Sequence, residues 1–239
     1  MRFIGRGAYD PDSTSEVHSS KGCRVLGRAS VVGVTMAAAI PSKILATSPP
    51  AAAYNGQTAA NYANVYALSY NPNYPADTDD CTDFVSQALH AGGQPIRVYD
   101  GTVSPTNINN WWDFSTTESV TWFELGSQST KTARFAVDLK WFMATSGWGT
   151  VEATYSAATD GMAPPYDSIG TGDILFYNWG GGTGISHAAV QVGSGTTPDG
   201  YTGSWVDYHT YNHKQVFWTT RPYNLTWQTT TVIEMHVNA

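Results

Sequence analysis

Apolar and aromatic side chains recur at Ala59, Ala63, Tyr66 and Tyr70 in steps of three and four, which predicts a helix over residues 59–70. Asn71, Pro72, Asn73, Tyr74 and Pro75 end it. A second helix is predicted over 79–90, where acidic residues open the segment as caps and Phe84, Val85, Ala88 and Leu89 form one stripe. Gly92 and Gly93 stop it. Residues 97–124 carry Trp111, Trp112 and Trp122 with no clear period, and read as irregular structure draped over the fold. A third helix is predicted over 131–146, with Phe135, Leu139, Phe142 and Met143 on one face and Gly147 at its end. After a Gly- and Pro-containing connector at 161–172 the pattern changes. Short β-rich runs at 173–177, 187–192, 203–209, 215–219 and 230–236 are separated by Gly, Asn and Asp turns. Helices first and an antiparallel sheet second define an α+β fold.

The chain has 239 residues, 41% hydrophobic and 13% charged, enough apolar surface for one domain with a sizeable core, which excludes wholesale disorder. The charge is unevenly placed. Residues 1–53 hold Arg2, Arg6, Lys21, Arg24, Arg28 and Lys43 against Asp10, Asp12 and Glu16, followed by an uncharged run at 29–40 and a small-residue exit at 46–53. This is the pattern of a secretory signal, its apolar run too short for a membrane span of about 20 residues. The expectation is a removable leader at 1–53, a secreted protein without stable membrane insertion, and a single domain at 54–239 with a Trp-rich insert at about 100–160. The remainder then carries 6 basic and 16 acidic residues, a balance that argues against nucleic acid as a partner. Cys23 leaves with the leader and Cys81 is left without an intramolecular disulfide partner.

A thiol ionises near pH 8.5 in its reference state, roughly, and lower at a helix N-terminus, where Cys81 is expected. Asp80 and Asp83 oppose this, so a histidine partner is needed. His90 lies nine residues along the same helix, roughly 13 Å away at 1.5 Å per residue, and cannot reach. His187 opens a strand and suits a general base, and Asp207 and His209, two apart on the next strand, share a face from which one could orient it. A small buried core cysteine and a hydrogen-bonded strand histidine remain the plain alternative. No cofactor is implied. His209 and His213 alone make a weak zinc pattern, and the Gly-rich run 180–184 lacks the helix and Lys-Ser/Thr of a phosphate loop.

The blocks Tyr62-Ala63-Asn64-Val65-Tyr66-Ala67-Leu68, Tyr70-Asn71-Pro72-Asn73-Tyr74-Pro75 and Asp80-Cys81-Thr82-Asp83-Phe84-Val85-Ser86-Gln87-Ala88-Leu89 resemble the family described as "Putative amidase domain". So do Gly172-Asp173-Ile174-Leu175-Phe176-Tyr177, Ser186-His187-Ala188-Ala189-Val190 and Val206-Asp207-Tyr208-His209-Thr210. The resemblance covers essentially all of 54–239. It implies a papain-like fold of the NlpC and CHAP type, with N-terminal helices carrying the cysteine packed on an antiparallel sheet carrying the histidine. It implies a cysteine amidase or peptidase with Cys81 as nucleophile, His187 as base, and His209, or Asp207 as runner-up, orienting His187. The Cys81 backbone N–H would supply half of an oxyanion hole, and Tyr74, Asp80, Asp83 and Ser186 would line the site. Asp83 stands where relatives are expected to carry Asn. The implied partner is a peptide or amide substrate, with peptidoglycan fragments suggested by superfamily company, and the chain is expected to be a monomer. A non-catalytic binding module on the same fold and an acyltransferase using the same pair are the alternatives.

Overall fold

The computed structural model describes residues 53–75, 78–98, 103–115, 128–160, 169–221 and 223–239. The expected leader, Trp122 and most of the 161–172 connector lie outside them. Helices α1 (Gly56–Tyr66) and α2 (Cys81–Ala91) come first, then α3 (Lys131–Arg134) and α4 (Ala136–Ser146). Strand β1 (Gly149–Ser156) and helix α5 (Ala157–Asp160) precede strands β2 (Ile174–Asn178), β3 (His187–Thr196), β4 (Thr202–Tyr208), β5 (His213–Phe217) and β6 (Thr231–Val237). The six strands form one antiparallel sheet in the order β1-β6-β2-β3-β4-β5. The α+β class expected from the sequence is the class observed.

Alternation along the strands gives the sheet two apolar faces. Ile174, Phe176, Ala188, Val190 and Met235 meet Ala59, Phe84, Leu89 and Leu139 of the helices. Leu175, Tyr177, Ala189, Val206 and Tyr208 meet Trp218 and Trp227 on the other side. Trp111 and Trp148 of the Trp-rich insert belong to the helix-side core. Burying each such side chain contributes about 1.5–3 kcal/mol, so the insert stabilises the helix layer.

Several elements depart from the sequence reading. The first helix stops at Tyr66, four residues early, and Tyr70 is 40% exposed. The third predicted helix is two: Phe135 is extended, with φ −119° and ψ 123°, and its side chain is 53% exposed. Thr130 caps the short first piece by accepting the Ala133 N–H at 3.1 Å, and the break turns Phe135 out of the face it was expected to share with Leu139, Phe142 and Met143. Strand β1 was not expected at all. It pairs with the C-terminal strand β6, and its burial barely alternates, which removes the signal a strand normally leaves in sequence.

The Gly172-Asp173 block serves the architecture. Gly172 has φ +93°, and a Cβ there would overlap the backbone of Gly56, so α1 can begin against the turn that enters β2. The Tyr54 hydroxyl donates to the Gly172 carbonyl at 2.6 Å, and the Asp173 carboxylate accepts the N–H groups of Gly170 (2.6 Å) and Val237 (2.8 Å). Gly172→Ala adds a left-handed residue and a steric overlap together, and is expected to lower unfolding free energy by about 2–3 kcal/mol in urea titration.

Candidate active site

Strands β3 and β4 are paired from Val190 and Asp207 to Thr196 and Thr202. Beyond Val190, residues 187–189 at the start of β3 have no partner in that ladder, and the first residue of α2 occupies the opening. The Cys81 N–H donates to Thr210 Oγ1 at 3.2 Å on the β4 side. On the β3 side its Sγ lies 3.9 Å from the Ser186 carbonyl oxygen and accepts the Ala188 N–H, so the thiol is bracketed by the backbone on either side of His187. Cys81 and His187 are both buried and open on one cavity of about 980 Å³.

Neither group is charged at neutral pH. Burial pushes the Cys81 thiol upward, and the Ala188 N–H and the Thr82 and Thr210 hydroxyls offset this only in part. The lowering expected from the helix terminus alone is therefore overturned by desolvation. Burial, with a smaller contribution from His213, holds His187 down at about 3. At rest the cavity is therefore lined by a neutral thiol and a neutral imidazole.

The residues expected to orient His187 are elsewhere. Asp207 lies opposite Val190, which faces the helices, whereas His187 is three residues from Val190 and faces the other way. The strand parity that put Asp207 and His209 on one face put them on the wrong one for His187. Asp207 Oδ1 accepts the Gln215 N–H at 2.5 Å. His209 is bound by Asp80, whose Oδ2 lies 2.6 Å from Nδ1, and by the Tyr66 carbonyl, 2.8 Å from Nε2. Nε2 therefore donates to the Tyr66 carbonyl, and Nδ1 shares a short hydrogen bond with Asp80 Oδ2. Both partners are 2% exposed, and Phe84 stacks on the ring at a centroid distance of 4.0 Å. Asp80 thus ties α2 to the β4 turn instead of capping the helix.

Aromatic rings hold His187 where a polar partner was expected. Its neighbours are Tyr208, edge-on at 4.8 Å, Trp179 at 5.3 Å and Tyr177 at 5.6 Å, and its Nε2 is buried without a hydrogen-bond partner. Ser186 lines the cavity. Tyr74, Asp80 and Asp83 do not: Asp83 accepts from Gln87 Nε2 at 3.4 Å, and Gln87 accepts the Tyr62 hydroxyl at 2.7 Å, which turns it towards α1. His90 bonds the Asp113 carbonyl oxygen through Nδ1 at 2.7 Å, away from the thiol.

Sequence reasoning missed Trp179, Tyr208 and Thr210, and named His213 without giving it a role; all four are on the cavity wall. Tyr208 was legible as the residue between the two chosen candidates, had the opposite parity been taken. Thr210 carries φ +70°, unusual for a β-branched residue, and this turns its hydroxyl to the Cys81 N–H. That N–H is therefore engaged, and does not face the cavity as the free oxyanion donor expected of it. Among the described residues no group of three or more His, Cys, Asp or Glu side chains could hold a metal ion, and no helix is long and apolar enough to cross a membrane.

Asp207 gives a test that is independent of catalysis. Burial raises its carboxyl to about 6. The folded state then binds the proton more tightly than the unfolded state, so the contribution is full below about pH 4 and lost as pH rises through 6. His187, depressed, acts with the opposite sign between about 3 and 6.5, so the difference between wild type and Asp207→Asn is the useful quantity. Wild type should lose on the order of 3 kcal/mol relative to Asp207→Asn between pH 4 and 7 in parallel urea titrations.

A cysteine at a helix start, bracketed by the backbone around a strand histidine, defines the chain as an α+β protein with a buried thiol–imidazole site. The chain belongs to the family described as "Putative amidase domain", whose model matches residues 53–235. It is 26% identical over 167 residues to "Uncharacterized protein YhbB" of Bacillus subtilis (strain 168), covering 69% of this chain and 44% of that protein. It is 43% identical over 65 residues to "Uncharacterized protein YjcM" of the same strain, covering 27% of this chain and 16% of that one. The chain thus spans less than half the length of these curated relatives. No solved structure matches. The family description carries amide hydrolysis as its general activity.

Proposed function

We propose that this protein is a cysteine amidase or peptidase of papain-like, NlpC- and CHAP-type architecture, exported through its N-terminal leader. The observation that carries the reading is the thiol of Cys81, held between the Ser186 carbonyl and the Ala188 N–H at the cavity that His187 also lines. His187 takes the Cys81 proton as Sγ attacks the amide carbonyl, so the two charges appear together and attract one another in a poorly solvated site. The imidazolium protonates the leaving amine, and water, deprotonated by His187, hydrolyses the thioester. Thr210 lines the cavity, and its hydroxyl accepts the Cys81 N–H; its one proton, which steadies the sulfur before attack, is free to turn to the developing oxyanion once Sγ has bonded to carbon.

His209 and Asp80 act as positioning residues by fixing the start of α2. Peptide bonds are the favoured target, and cell-wall peptides are one source of them. Transfer to an amine would use the same acyl-enzyme, and the same assay run with added amine separates it from hydrolysis.

The test uses iodoacetamide and the full chain. Alkylation of Cys81, followed by mass spectrometry between pH 6 and 11, should show a midpoint above the ordinary thiol range and abolish release of aminomethylcoumarin from acyl-peptide amides. Retention of full amide release by the completely alkylated chain would overturn the reading.

A further inference from the structure

Among the described residues, thirteen bulky apolar side chains are exposed, and five of them, Phe135, Val137, Tyr211, Tyr223 and Leu225, line the thiol cavity. They come from three separate pieces of chain: the break between α3 and α4, the turn after β4, and the segment after β5. Scattered single exposures are ordinary, whereas convergence of this kind on one concave wall marks a binding surface. Tyr211 is 84% and Leu225 91% exposed, so the surface is available to a ligand.

The far lip is built rigidly. Tyr223, although 56% exposed, stacks on His213 at a centroid distance of 3.8 Å, and His213 in turn meets Tyr208 at 5.1 Å. The Tyr223 and Asn224 N–H groups donate to the Thr220 carbonyl at 2.9 and 3.0 Å, Asn224 Nδ2 donates to Thr230 Oγ1 at 3.0 Å, and the Thr226 N–H donates to Asn224 Oδ1 at 3.0 Å. Leu225 sits inside this pinned turn. An apolar ligand would therefore meet rings and a leucine already in place, with little ordering left to do on binding.

Charge on the wall is sparse. Besides the two histidines, the described lining residues include one carboxylate, Asp79, and one guanidinium, Arg134. A substrate dense in carboxylates or amines finds few counter-charges there, and would leave its own charges poorly solvated.

We infer that the Phe135–Tyr223–Leu225 wall is a specificity subsite for a neutral, bulky apolar or aromatic side chain beside the scissile bond of a peptide. The inference rests on the proposed amidase reading and deepens it, favouring apolar peptides over the charge-rich peptides of cell walls.

The test separates binding from chemistry. Matched acyl-peptide aminomethylcoumarin amides carrying Leu or Phe, or Glu or Lys, at the positions flanking the reporter bond are titrated against the full-length Cys81→Ala chain by fluorescence anisotropy, and cleaved by the unsubstituted chain. Leu and Phe peptides should bind at least 10-fold more tightly than Glu and Lys peptides. Tyr223→Ala and Leu225→Ser, each placed in the Cys81→Ala background, should cut that preference about 5- to 20-fold, and in the active chain should raise KM for the apolar peptides with little change in kcat. Equal binding of both series, or a preference untouched by both substitutions, overturns the subsite. Preferential binding without cleavage of any peptide would retain the subsite and defeat the amidase reading.

Discussion

Replacing His209 by alanine is expected to lower the unfolding free energy by about 3–5 kcal/mol, because it strands the buried Asp80 carboxylate. That side chain is 2% exposed and has His209 Nδ1 at 2.6 Å, while its other oxygen has no hydrogen-bond partner. The same change removes the donor to the Tyr66 carbonyl, at 2.8 Å, and with it the link between α1, the start of α2 and the β4 turn. Urea titration reads the loss directly. Adding Asp80→Asn to His209→Leu should recover much of the deficit, since a neutral amide tolerates burial that a lone carboxylate does not, and a coupling energy of about 2–3 kcal/mol in the double-mutant cycle is the expected signature. A cycle that closes to zero would mean that the two side chains act independently. The effect on catalysis should follow as positioning: the surviving folded fraction of His209→Ala should show a reduced kcat, with the acid limb of its pH profile unmoved.

The second large effect concerns His187. His187→Ala should reduce kcat/KM on acyl-peptide aminomethylcoumarin amides by about 10³–10⁴-fold, because the thiol, which burial pushes upward, then has no base at its side. The pH dependence of the unsubstituted chain is equally specific. Burial holds His187 at about 3, so the imidazole is already neutral and able to accept a proton from about pH 4 upward. The acid limb of kcat/KM, which reports the free enzyme, should therefore fall near pH 3, whereas an imidazole of ordinary basicity would place it near 6.5, roughly. An acid limb near 6.5 that disappears in a His187 variant would show the ring to be solvated.

Much of this arrangement was legible in the residues. The stripe Phe84, Val85, Ala88 and Leu89 fixed α2 and the place of Cys81 at its start, because apolar residues repeating at helical spacing against a core leave a strong pattern. The strand around His187 was legible for the same reason. Its neighbours were not, since facing across a sheet depends on the register between strands, and a register error of one residue exchanges the two faces. Asp207 at the end of β4 and His209 just beyond it lie towards the helices, as Val190 opposite Asp207 and Phe84 stacked on His209 show, and Tyr208 is the residue that meets His187. Capping logic failed at Asp80 for a related reason: a partner 129 residues away competes for its carboxylate, and no local rule contains that partner. Strand β1 escaped notice because its side chains are mostly exposed or half-buried, so its pairing with β6 leaves little mark on the sequence.

The central claim is that Cys81 forms the acyl-enzyme. The direct measurement is the mass of the full-length chain, acid-quenched within the first turnover of an activated acyl-peptide ester and digested to locate the added group, beside the steady-state rate of the Cys81→Ala chain. The account predicts an acyl adduct on the peptide that contains Cys81 and no turnover above background in the variant. An adduct on another residue, or cleavage by Cys81→Ala at the unsubstituted rate, would contradict it.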